Sequence, residues 1–157
     1  MGRRYVAVLD ALPVSAECDL FYIEAPSTAV VVLHEVVVTQ DLSETSEQLP
    51  LGIYRTATDD STNGTAITPR PLEAGDTAFS GVVKKNFTGA ALAAETIPLY
   101  RQSQNVLGGW HILFTPETRP VISPSGTNNQ RMVIKLETAP TAQLTMSGYI
   151  VIEEIGG

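Results

Sequence analysis

Cysteine is nearly absent. Cys18 is the sole one in 157 residues, so no internal disulfide can staple the chain, and no CxxC or Cys/His cluster is there to hold zinc. Charged residues are also scarce, at 17% against about 25% in an average soluble domain. What charge exists is one-sided: 10 Lys and Arg against 17 Asp and Glu leave a net −7. That excludes the basic face a nucleic-acid binder turns toward phosphates. Long apolar runs are missing too. The longest, Ala29-Val30-Val31-Val32-Leu33, falls far short of the roughly 20 residues of a spanning helix. After Met1-Gly2-Arg3-Arg4 the apolar stretch breaks at Asp10 and Pro13, so no secretory signal is expected. Val6 stands where myristoylation needs Ser or Thr. Without a signal, the sequons Asn63-Gly64-Thr65 and Asn86-Phe87-Thr88 read as chance. The expected product is soluble and made in a cytoplasm.

The constellations of catalysis fail in turn. His34 and His111 are too few and too far apart to gather the three or more ligands of a metal enzyme, even with Glu35. No Gly-x-Ser-x-Gly elbow and no phosphate loop occur. Cys18 lies between Glu17 and Asp19, whose charges oppose a thiolate. The carboxylate pairs Asp59-Asp60 and Glu153-Glu154 sit in a turn and near the end of the sequence, poor places for a water-excluded acid and base. Asp59, Ser61, Asn63 and Gly64 match half of a calcium loop, but its twelfth position is Arg70, not a bidentate carboxylate. No enzyme, metal or cofactor is expected.

Period two is what the sequence has in quantity. Met132, Ile134 and Leu136 alternate with Arg131, Lys135 and Glu137; Leu144, Met146, Ile150 and Ile152 alternate with Thr145, Ser147 and Glu153. Each is a strand with one wet side. Leu49-Leu51-Ile53 and Trp110-Ile112-Phe114 make shorter sets, and 20–24, 78–84 and 96–104 weaker ones. Turn chemistry separates them at 59–64, 73–76 and 123–129, and only Gly89 to Glu95 is Ala-rich enough for a turn or two of helix. The pattern predicts an all-β fold, an antiparallel β-sandwich or jelly roll of about eight strands, spanning 16–157. Residues 1–15 are expected to form a short N-terminal arm.

From Val30 to Thr39 both parities are apolar except at His34-Glu35. Such a strand has cover on both sides. Its outer face must then meet a loop or arm of the same chain, or another subunit.

Four phrases carry a resemblance: Phe21-Tyr22-Ile23-Glu24-Ala25-Pro26; Glu47-Gln48-Leu49-Pro50-Leu51-Gly52-Ile53-Tyr54-Arg55; Thr115-Pro116-Glu117-Thr118-Arg119-Pro120; and Ser147-Gly148-Tyr149-Ile150-Val151-Ile152-Glu153-Glu154. With the strand rhythm, they make the chain similar to small jelly-roll capsid decoration, or cement, proteins of tailed bacteriophages. The resemblance implies a homotrimer on the virion surface that contacts major capsid protein, stabilises the shell and performs no chemistry. Neither nucleic acid nor membrane is an expected partner. The expected self-association or capsid-contact residues are Arg3, Arg4 and Tyr5 of the arm with Val31, Leu33, Glu35 and Val37 of the doubly apolar strand. The alternative is a β-sandwich recognition module, a fibre head or carbohydrate-binding domain, with Tyr54, Tyr100 and Tyr149 as platform residues.

Overall fold

Alternating apolar side chains hold a strand in place when a second sheet covers one side, and here two sheets cover each other. The computed structural model describes residues 2–41, 46–56, 63–88, 98–124 and 131–156. These contain no helix. The strands are β1 (Arg3–Val14), β2 (Cys18–Glu24), β3 (Ala29–Gln40), β4 (Gln48–Thr56), β5 (Thr65–Ile67), β6 (Arg70–Pro71), β7 (Val82–Lys85), β8 (Phe87–Thr88), β9 (Tyr100–Asn105), β10 (Trp110–Leu113), β11 (Val121–Ile122), β12 (Arg131–Leu136) and β13 (Leu144–Gly156). The first sheet has the order β10-β3-β13-β1-β6, with β11 also on β3; the second runs β5-β7-β2-β12-β4-β9, with β8 also on β2. Every pairing is antiparallel, and the architecture is a β-sandwich.

The pairings nest. β1 lies on β13, β2 on β12, β3 on β10 and β4 on β9, and the strands β1 to β4 alternate between the sheets. Between β4 and β9, the short strands β5, β7 and β8 extend the second sheet beyond β2, and β6 extends the first beyond β1. The Ala-rich stretch 89–95 lies outside the described residues.

The expected arm is instead a strand inside the first sheet. Tyr5, Ala7 and Leu9 alternate and are fully buried. The break at Asp10 to Pro13, which reads as the end of an apolar run, is a β-bulge: the register against β13 shifts between Leu9 and Leu12. Ala11 takes φ +42° there, a strained conformation for a residue with a Cβ. Its N–H donates to Ser147 Oγ at 2.9 Å. Past the bulge, Leu12 and Val14 return to the core. One extra residue restores the phase that the alternation lost.

A second bulge explains the doubly apolar strand. Glu35 pairs with Val151 and Leu33 with Ile152, so His34 is the surplus residue. Before it Val31 and Leu33 point inward; after it Val36 and Val38 do, and all four are buried. The inner face therefore changes parity in mid-strand, and Val30, Val32 and Val37 fall on the outer face. Tyr5, Val31 and Leu33, expected as contact residues, belong to the chain's own core. The Tyr5 ring meets Phe79 edge-on at 5.3 Å and its hydroxyl donates to the Thr77 carbonyl at 3.0 Å. Trp110, also buried, donates its indole N–H to Gln102 Oε1 at 3.2 Å, tying an edge of the first sheet to an edge of the second.

Candidate functional site

Strand parity builds the outer face of the first sheet. Its register aligns two rows across the strands: His111, Val37, Tyr149 and Val8, then Leu113, Glu35, Val151, Val6 and Arg70. Val121, Val32, Glu153 and Arg4 make a third. Among the described residues, four of the eight large apolar side chains left in water, Val8 (51%), Leu113 (70%), Val121 (38%) and Ile155 (45%), stand on this one face, with Leu72, Val82, Leu99 and Leu107 elsewhere. Scattered apolar exposure is ordinary, and four such residues on one face make that face the candidate site. Gly148 keeps the strands close: a Cβ there would run into the Val37 carbonyl.

Two acids on this face, Glu35 and Glu153, are already occupied. Glu35 Oε1 takes hydrogen bonds from His111 Nε2 at 2.9 Å and from the Tyr149 hydroxyl at 3.1 Å. Partial desolvation, and then that bond to Glu35, hold the Tyr149 phenol above its usual range. Glu153 Oε2 is 2.7 Å from His34 Nε2, and Oε1 accepts the Gly2 N–H at 3.1 Å. Both histidines are thus spent on separate carboxylates. Among the described residues no group of three His, Cys, Asp or Glu is placed to hold a metal ion. Arg4 and Asp10, at opposite ends of the β1 stripe, are exposed. Arg3 has the inward parity and pairs in register with Glu154. That carboxylate is buried, accepting the Ser80 N–H at 3.1 Å and the Ser80 hydroxyl at 2.5 Å. The neighbouring Glu153 and Glu154 therefore face opposite ways.

The centre of the outer face of the second sheet is fastened shut, while Val82 at its edge, opposite Glu24, stays exposed. Tyr22, Val133 and Tyr54 pair across β2, β12 and β4 as a small buried cluster. Around it Arg131 donates to Glu24 at 3.1 Å, Lys135 reaches Glu17 at 2.8 Å, and Arg101 Nε donates to Glu137 at 2.6 Å. The Tyr54 hydroxyl donates to the same Glu137 at 2.6 Å. Burial first, and then that bond, push its phenol up to about 12.

Of the expected contact residues, the structure brings Arg4, Glu35 and Val37 together on the outer face of the first sheet, with Arg3 beside it. Val6, Val8, Asp10 and Arg70 join them unforeseen. The signal for Val6 and Val8 lay in residues 5–9, which are apolar on both parities, as 30–38 are except at His34-Glu35. Of the three platform tyrosines, Tyr54 is buried, Tyr100 packs on Phe114 at 5.0 Å and Tyr149 is tied to Glu35. Asp59 and Ser61 of the calcium pattern lie outside the described residues. Burial, then the charges of Asp19 and Glu17, push the Cys18 thiol up to about 12. It borders an open cleft of about 240 Å³ shared with Pro13, Val14, Ser15, Ala16 and Asn86, and the raised pKa keeps its thiolate population low at neutral pH.

No protein family, curated protein or solved structure matches the chain.

Proposed function

We propose that the chain is a non-enzymatic virion structural protein, a decoration or cement protein that self-associates, binds the outside of a phage capsid and stabilises the shell. The observation that carries this reading is the outer face of the first sheet: broad, largely apolar, with Glu35 and Glu153 already hydrogen-bonded. A flat face of this kind suits a macromolecular surface. We read the nested pairing, β1-β13-β3-β10 over β2-β12-β4-β9, as jelly-roll wiring. Such a body resists shear without needing a tuned pKa or a moving lid. The resemblance in the four phrases above points to the same occupation.

The test is sedimentation of the purified protein with empty shells from a panel of tailed phages. Saturable binding to the shell exterior, together with a raised shell melting temperature, is the expected result. Absence of binding to every shell, with capture on a glycan array, would replace this reading with a recognition module.

A further inference from the structure

We infer that the outer face of the first sheet seats a second copy of this chain, packed face to face about a twofold axis that crosses the strands along the row Ala7, Ile150, Val36 and Ile112. The inference deepens the self-association in the reading above, and its test needs no capsid. The failure of one therefore leaves the other standing.

Area comes first. β1, β3 and β13 are 12, 12 and 13 residues long. At about 3.3 Å per residue and about 4.8 Å between strands, with the short flanking strands, the face is on the order of 800 Å², what one side of a standard stable interface buries. Desolvation comes second. Glu35 and Glu153 enter such an interface already hydrogen-bonded to His111, Tyr149 and His34, which lowers the cost of taking them out of water.

Charge chooses the occupant. Arg4 and Asp10 are the charged residues of β1 with outward parity, and neither has an ion-pair partner among the described residues. They stand three residues to either side of Ala7. Ala7 pairs with Ile150, Ile150 with Val36 and Val36 with Ile112, so one straight row marks the midline. Rotation by 180° about that row lays Arg4 of each copy over Asp10 of the other, because an isologous interface makes every contact twice. The same rotation lays Val6 over Val8, Tyr149 over Val151 and His111 over Leu113, and sets no two like charges against each other. Packed sheets keep their strands within about 30° of parallel, an offset that long side chains such as Arg4 can span. A threefold ring would need two different surfaces. This face is complementary to itself.

Light scattering on the full chain across a dilution series reads the result, with circular dichroism confirming that each variant folds. The parent should be a dimer that dissociates to monomer on dilution. Val8→Glu, which alters an already exposed side chain, should weaken association by about 100-fold or more, since it buries an unpaired carboxylate. Arg4→Asp and Asp10→Arg should each weaken it by about tenfold through like-charge contacts made twice. The double variant R4D/D10R should return to within a fewfold of the parent, a rescue that only this antiparallel stacking of β1 on β1 predicts. A monomer at every concentration, a trimer, a dimer indifferent to Val8→Glu, or a double variant no better than the singles would each overturn the pairing.

Discussion

The two outer faces of this sandwich solve one problem in different ways. Each carries apolar side chains that its own core does not cover. On the second sheet, Tyr22, Val133 and Tyr54 are buried beneath carboxylates held by Arg131, Lys135 and Arg101. On the first sheet, Val8, Leu113, Val121 and Ile155 remain in water while the polar groups pair among themselves. The ions of the second face shield its apolar row; those of the first face shield one another and leave the valines open. At the centre of the second face the ion pairs keep water off the apolar row, whereas on the first face the apolar side chains stay open to it.

The largest effect that would separate the two faces is a charge placed under the shield. Val133→Asp should cost about 4 kcal/mol or more of folding stability, because position 133 has no access to water; urea melts read it. If the variant melts like the parent, the second face is not closed. Next comes Arg131→Ala, which takes the cation from Glu24 and leaves it the Tyr22 hydroxyl at 3.2 Å. A loss of about 2 kcal/mol is expected, less than for a fully buried pair, because Glu24 keeps 24% of its side-chain surface.

Tyr54→Phe should cost about 1 kcal/mol at neutral pH, the value of one hydrogen bond to a charged acceptor less what Arg101 retains. It also changes the pH profile. The Tyr54 phenol is held protonated to about 12 in the fold, against 10.0 when free. Its contribution is therefore full below about pH 10 and lost as pH rises toward 12. The variant should lack that part of the alkaline decline. Cys18 contributes a separate decline from about pH 9 that both proteins share. The smallest effect belongs to the open face. Val8→Ser should change folding stability by less than about 0.5 kcal/mol, measured dilute enough that association contributes nothing. A cost of 2 kcal/mol there would mean that the first face is covered after all.

Much of the sandwich could be read from alternation alone. The runs ending in Leu136 and Glu153, the Leu49 set and the Trp110 set all became strands, because each has one clean parity and a flanking turn. What escaped were the places where parity slips. At Ala11 and His34 the chain inserts one residue, and a period-two reading then sees either a strand that stops or a strand with two dry sides. Nothing in the residue types at 10–13 announces a bulge, since the Ser147 hydroxyl that satisfies Ala11 lies 136 residues away. The candidate face was half legible for the same reason. Glu35 and Val37 follow the bulge and kept their outward side; Val31 and Leu33 precede it and did not. Arg70 joined the face only through its pairing with Val6 on a distant strand, which no local pattern encodes.

The nesting of the strands also fixes the order in which this molecule can come into being. Arg3 finds its place opposite Glu154, so during synthesis β1 waits for nearly the whole chain to leave the ribosome before its central neighbour exists. Contacts so distant in sequence make for slow folding, and the early strands spend that interval with open edges. Of the four nested pairs, the innermost, β4 with β9, is the first that can form, once the shorter-range β5 and β7 have met. The sandwich therefore closes from its most deeply nested hairpin outward, and the first sheet, with the face it presents, is the last part of the protein to be born.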